Sequence, residues 1–310
     1  MSLFESLAST RNTALATALS AFSFGTASLP SREVEGGLLT HISRYPDYVN
    51  LASDPMYKWA AAVQRTDSLG IRHGSGVLIA PDLFITAGHV TPRDGSLTAR
   101  LDNIKFGGNF NTSSDIYDVR ATQRFPGYVS GDTSTIDLGV GWTTQFVPNF
   151  TPTVFASSAV GQTLTMAGFG NYGDATTGEL PSLGDKLAGR AVGRTFTSSY
   201  NNPAYMSTLF PGPTSPDPLS IRGMTGDSGS GWWNSTGNLA MLSIAAPANV
   251  EAGSTIGLNL SDATIQAYLQ PLIQESWTRY NASVPEPGSF ALIGAASLLA
   301  AGYFARRKRT

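Results

Sequence analysis

Apolar positions along this chain gather in short runs, and they almost never recur at helical spacing over a long stretch. Ala60 to Gln64, Gly76 to Ala80, Leu83 to Thr86, Leu138 to Trp142, Thr163 to Phe169 and Leu239 to Ala245 are each four to seven residues long, apolar or alternating. Runs of that length, bounded by turn formers, read as β-strands. The 33 glycines and 18 prolines supply the turns, and only 14% of residues are charged, which suits an all-β domain. One helical pattern stands apart: Ser261-Asp262 offers an N-cap, and Ile265, Tyr268, Leu269, Leu272 and Ile273 share a face. Pro271 is expected to kink or split that helix.

The chemistry concentrates in Met224-Thr-Gly-Asp-Ser-Gly-Ser-Gly-Trp232. A serine hydroxyl is a poor nucleophile unless a base takes its proton and donors stabilise the developing oxyanion. There are three histidines, at 41, 73 and 89, and only His89 follows a strand-turn-strand pattern, ending in Thr86-Ala-Gly-His89. Between base and nucleophile, Asp137 is embedded in the apolar stretch Ser134 to Trp142, where a carboxylate can hold an imidazole tautomer. The order His89, Asp137, Ser228 differs from that of subtilisins and α/β-hydrolases. A Gly-x-Ser-x-Gly elbow fails because position 230 is Ser. His41 and His73 lack such context and read as structural.

Thr86-Ala-Gly-His89, Ile136-Asp137-Leu138, Met166-Ala-Gly-Phe-Gly170 and Gly226-Asp-Ser-Gly229, in this order and with 48 and 91 positions separating base, acid and serine, resemble the trypsin-like serine proteases. The resemblance covers about Val49 to Leu272. It implies two packed six-stranded antiparallel β-barrels with a short C-terminal helix closing the second. It also implies Ser228 as nucleophile, His89 as general base and then acid, Asp137 as orienter, and the backbone N–H groups of Gly226 and Ser228 as an oxyanion hole. Asp227 would be buried near the site, where relatives often pair its counterpart with an N-terminal amine released by proteolysis. Arg222, six residues before the serine, would stand at the base of the substrate pocket, with Ser243, Ala245 and Thr255 as wall positions. An arginine there suits acidic or small side chains rather than Lys or Arg; a solvent-facing Arg222 is the other reading. The chain departs from the family at its start, where no Arg-Ile-Val-Gly-Gly stands, and in lacking cysteine, with Gly74 and Val90 at the positions where many relatives have a disulfide.

Charge and the chain ends bear on address. Four of the 20 basic residues stand at 306–309, so the remainder is mildly acidic, with 16 basic against 22 acidic residues. No basic patch or RNA-binding signature supports nucleic-acid binding. Three scattered histidines without cysteine make no ligand cluster, and no cofactor or metal is expected, although loop carboxylates leave a calcium site open. Residues 1–27, with Arg11 ahead of a mainly small and apolar run, read as an export signal, or else as a disordered or helical N-terminus. Residues 28–47 read as a leader or propeptide, 48–280 as the protease domain and 281–288 as a linker holding Pro285-Glu286-Pro287. An apolar segment at 289–305, long enough to span a membrane, precedes the basic tail 306–310. This ending resembles the PEP-CTERM sorting signal, which implies an exosortase-type processing enzyme as partner; an uncleaved tail anchor is the alternative. Both place the domain on the non-cytoplasmic side. The chain is thus expected to be an exported serine endopeptidase acting on protein or peptide substrates. The alternatives are a catalytically silent surface or matrix binding module, and an esterase using the same three residues.

Overall fold

The computed structural model describes Leu39 and residues 41–92, 99–195, 202–212, 215–245 and 254–283. In chain order the strands are β1 (Ala60–Asp67), β2 (Gly70–Ala80), β3 (Leu83–Ala87), β4 (Arg100–Lys105), β5 (Ile116–Arg124), β6 (Leu138–Thr143) and β7 (Thr163–Gly168). There follow β8 (Tyr172–Asp174), β9 (Gly178–Leu180), β10 (Leu187–Thr195), β11 (Tyr205–Leu209), β12 (Gly231–Trp233), β13 (Leu239–Ala245) and β14 (Thr255–Asn259). The first barrel closes in the order β1-β2-β3-β6-β5-β4 and the second in the order β10-β11-β14-β13-β12-β7, while β8 and β9 form a hairpin. Neighbours in both barrels run antiparallel, as the resemblance implied. Closure leaves neither barrel a free strand edge, which matters in a chain without disulfides.

The six apolar runs are β1, the buried end of β2, β3, β6, β7 and β13. One continuous core joins the barrels: Val63, Leu78, Phe84 and Val140 of the first pack in the same cluster as Ala167, Tyr205, Leu242 and Leu258 of the second. A separate cluster inside the second barrel gathers Leu164, Met166, Trp232 and Met241. Leu39 and Tyr48 belong to that second cluster. Tyr48 lies on a short helix, α1 (Tyr45–Ala52), which starts with Pro46 in its first turn, where a missing N–H costs nothing. The Tyr48 hydroxyl donates to Ser220 O at 3.0 Å, and the Tyr45 hydroxyl donates to Asp185 at 3.0 Å. The stretch 28–47, expected as a leader without a core, therefore contributes Leu39 and Tyr45 to the packed body.

The C-terminal helix α2 (Ala263–Ser283) differs from expectation twice. It is not split at Pro271, and continues as one helix of 21 residues. Pro271 and Ala267, whose carbonyl loses its partner, both lie on the exposed face, where water replaces the missing bond. The expected N-cap forms at Asp262, whose Oδ1 accepts from Thr264 N at 2.9 Å. Instead of closing the second barrel, α2 crosses to the first. Tyr268 meets Phe125 edge to face at 4.9 Å, and Trp277 packs on Phe150 at 5.9 Å. The anchor is Asp82, in the β2–β3 turn, with a side chain 4% exposed. Its carboxylate accepts from Ser276 Oγ at 2.5 Å, Arg279 at 3.0 Å and Arg120 at 2.9 Å. Among the described residues no helix is long and apolar enough to cross a membrane. The expected segments 1–27, 289–305 and 306–310 lie outside the described residues.

Asp82 is the buried member of this cluster; without it Ser276 loses its buried acceptor, while water still reaches Arg120 and Arg279. Asp82→Ala is therefore expected to lower stability by about 2 kcal/mol, read as a lower urea midpoint with an unchanged slope.

Candidate active site

Ser228 sits in a tight turn of the second barrel just before β12. Asp227 N donates to Met224 O and Ser230 N donates to Asp227 O, each at 2.8 Å. Gly226 and Gly229 take φ of +88° and +92°, a region that side chains rarely enter. A Cβ at Gly229 would also stand 2.0 Å from Ser75 O. The turn is fastened from below through Asp227, whose Oδ1 accepts Gly170 N and whose Oδ2 accepts Met224 N, both at 2.9 Å. Gly170 owes its identity to that carboxylate, because a Cβ there would fall 2.6 Å from Asp227 Cγ.

Peptide planarity then orients two N–H groups. Thr225 O accepts Asn171 N at 2.8 Å, so the trans peptide turns the N–H of Gly226 the opposite way. Asp227 O accepts Ser230 N, which orients the N–H of Ser228 likewise. Among the described residues neither N–H has an acceptor.

The first barrel delivers the other two side chains. His89 follows β3, and Asp137 immediately precedes β6, the strand paired with β3. The pairing fixes their register: Gly88 N donates to Asp137 O at 3.0 Å, and His89 N donates to Asp137 Oδ1 at 2.8 Å. His89 Nδ1 lies 2.8 Å from Asp137 Oδ2, and His89 Nε2 lies 2.8 Å from Ser228 Oγ. The structure thus joins the three sequence-predicted residues into one hydrogen-bonded chain across the barrel junction. The imidazole is 36% exposed and Asp137 15%, so the serine end faces solvent and the acid end is shielded.

Several supporting residues escaped the sequence reading. Arg65 donates to His89 O at 3.0 Å and Val90 O at 3.2 Å, and Arg124 donates to Thr91 O. The Tyr205 hydroxyl accepts Asp137 N at 3.2 Å and donates to Thr135 O at 2.5 Å. The Tyr128 phenol lies near Asp137, and burial followed by the Asp137 charge pushes it up to about 12. Nothing local in the sequence marks these residues. Ser75 was within reach, since a small polar residue between glycines inside an apolar strand needs a reason.

The predicted pocket residues divide. Arg222 is 8% exposed, so the solvent-facing reading is set aside. Gly223 N donates to Thr255 Oγ1 at 2.7 Å, which fixes Thr255 beside the segment leading to the serine. Ser243 turns its hydroxyl inward, accepting Trp232 Nε1 at 2.7 Å and facing Met166 Sδ at 3.7 Å. Ala245, partly exposed, pairs with Ile256 at a bulge. His73 stacks on Phe110 at 4.4 Å, and burial, helped by Lys105, lowers its pKa. That fits a neutral packing role.

Asp227 is 4% exposed, and among the described residues no cation pairs with it. Burial pushes its carboxyl up to about 7 against the pull of the Met224 and Gly170 N–H groups and Ser230. Between its ordinary value and about 7, the folded state keeps a proton that the unfolded chain releases. Stability is therefore expected to fall as pH rises through that window, by up to about 1.4 kcal/mol per unit from this group, and then to level off. Urea midpoints from pH 4 to 8 test this: Asp227→Asn should flatten the slope, whereas a wild-type carboxylate paired with an amine would show no such slope.

Two closed antiparallel barrels joined along one core, with the histidine turn on one and the serine turn on the other, are the architecture of chymotrypsin-fold serine proteases. The trypsin family model matches residues 50–259, more than half the chain, and the chain belongs to that family of serine-type peptidases. A PEP-CTERM protein-sorting motif matches residues 283–309 and implies export to the cell surface or extracellular space. No curated protein matches the chain in sequence. Among solved structures, a Glu endopeptidase is similar with a TM-score of 0.51 and 14% identity, over 77% of this chain and 97% of that one. An inactivated protease paralogue of the scabies mite is similar with a TM-score of 0.53 and 12% identity, over 71% and 96%. Mouse neuropsin, a serine protease, is similar with a TM-score of 0.54 and 12% identity, over 71% and 96%. At these identities the likeness speaks for the fold alone, which an inactivated paralogue also has.

Proposed function

We propose that the protein is an exported serine endopeptidase that hydrolyses peptide bonds through an acyl-Ser228 intermediate. The observation that carries the reading is the continuous bonding from Asp137 through His89 to Ser228, each link at 2.8 Å. His89 Nε2 takes the Ser228 proton as Oγ attacks the scissile carbonyl, and Asp137 holds the Nδ1–H tautomer and stabilises the imidazolium. The carbonyl oxygen, now anionic, meets the N–H groups of Gly226 and Ser228. His89 next protonates the leaving amine, then takes a proton from water as the water attacks the acyl carbon, and returns that proton to Ser228. The bonded geometry favours this reading over a silent binding module, which has no need of a base within reach of the serine.

Export, retention through residues 289–305 and processing near Pro285-Glu286-Pro287 by an exosortase-type enzyme complete the reading, with the domain on the non-cytoplasmic side. The PEP-CTERM match at residues 283–309 supports it.

Ser228→Ala and His89→Ala are each expected to reduce kcat by roughly a million-fold, and Asp137→Asn by roughly ten-thousand-fold. Digestion of a diverse peptide library, with cleavage sites read by mass spectrometry, checks this. Cuts that persist in Ser228→Ala, or a folded wild type that neither cuts nor takes a fluorophosphonate label, would sink the proposal. In the same digest, cleavage is expected after acidic or small residues rather than after Lys or Arg, with Arg222→Ala erasing any acidic preference.

A further inference from the structure

Lys186, the residue before β10, is 5% exposed and yet lines a cavity of about 560 Å³. The other walls include Val49 of α1 and the rings of Trp59, Phe106 and Tyr117. Trp59 and Tyr117 both meet Phe106 edge to face, with centroids 6.0 and 5.9 Å apart, so the aromatic wall is continuous. His89, Asp137 and Ser228 are not among the lining residues.

The Lys186 backbone is held by its N–H, which donates to Gly108 O at 2.7 Å. Its ammonium donates to Tyr57 O at 3.0 Å, a neutral acceptor, and it has no ion pair among the described residues. An ammonium has three donors, and burying it without an anion is unfavourable. Burial alone pulls its pKa down to about 8, so the group remains largely charged at neutral pH. Three further charged or acidic groups line the space along with Tyr117. Lys58 lies over the Trp59 ring at 4.3 Å, Asp54 accepts Met56 N, and Asp115 lies close enough to Tyr117 to help raise its phenol's pKa, after burial. Neither aspartate reaches ion-pair distance of Lys186. The lining thus carries two carboxylates, at Asp54 and Asp115, and two cations, of which Lys186 is the buried one and has a neutral carbonyl as its protein acceptor; beside the aromatic walls this suits an amphiphilic anion seated at Lys186.

We propose that this cavity binds a small organic carboxylate with an aromatic or aliphatic body, its carboxylate meeting Lys186 and its body lying among Trp59, Phe106 and Tyr117. Two sources share that chemistry: a free organic acid and the C-terminal carboxylate of a peptide.

Calorimetric titration of the full-length protein with 3-phenylpropionate, its primary amide and acetyl-glycyl-phenylalanine tests the proposal. Saturable binding of at least one acid is expected at pH 7, with the amide at least tenfold weaker. The tighter of the two acids identifies the source. The dissociation constant should rise about tenfold per pH unit above pH 8, as Lys186 loses its proton. Lys186→Met should weaken the acid at least tenfold while its melting temperature holds or rises, and Ser228→Ala should bind like the wild type. Equal affinity for acid and amide, absence of saturable binding by both acids, or affinity indifferent to pH would overturn the proposal. So would loss of binding in Ser228→Ala, which would seat the ligand at the serine instead. If Lys186→Met does not fold, the pH series on the unaltered protein decides.

Discussion

Ser228 and His89 come from different barrels, so the site depends on whatever fixes one barrel's turn against the other's strand. That task falls largely to Ser75 in β2. Its N–H donates to Ser228 O at 2.9 Å, its Oγ donates to Gly226 O at 2.9 Å and accepts Phe169 N at 3.1 Å, and its carbonyl accepts Thr86 Oγ1 at 2.7 Å. Every polar group of this residue, 1% exposed, is engaged, and its partners are the serine turn, the end of β7 and the strand leading to His89. Satisfied polar networks in a low-dielectric interior are stiff, because each broken bond leaves a buried group without water. The 2.8 Å contact between His89 and Ser228 rests on that stiffness.

Cysteine is absent, and other chemistry holds the histidine turn. Val90 packs where a side chain at Gly74 would stand, 3.1 Å from its Cγ1, and Arg65 and Arg124 reach in from β1 and β5 to bind the carbonyls of His89, Val90 and Thr91. Hydrogen bonds from a charged donor contribute about 1.5–3 kcal/mol each, so a few of them rival the 2–5 kcal/mol typical of a native disulfide. Unlike a disulfide, they are indifferent to reductant.

Much of this was legible because apolar runs and glycine-flanked polar residues leave strong local traces. The six runs read as strands are strands, and the three residues read as a reacting set meet at bonding distance. The other eight strands were not read, β5 and β10 among them: Ile116–Arg124 has only exposed and partly buried positions, and Leu187–Thr195 carries Arg190 and Arg194. The helix was found, but its destination was not, since Asp82 and Arg279 stand 197 positions apart and neither looks unusual locally. Pro271 does not split the helix, because the cost of a missing N–H depends on whether the orphaned carbonyl reaches water, which sequence alone does not state. Arg65, Arg124 and Tyr205 act through backbone atoms of distant residues, so no motif could announce them.

The route taken by α2 also determines where a pull on the end of that helix would be felt. The PEP-CTERM match begins at Ser283, the last residue of the helix. A pull from that end would enter through α2 and meet the bonds from Ser276 and Arg279 to Asp82, at the β2–β3 turn, before it could reach β14. The far turn of the first barrel would be loaded ahead of the strand pairing behind the serine turn, which is the geometry of a strain relief for the cleft.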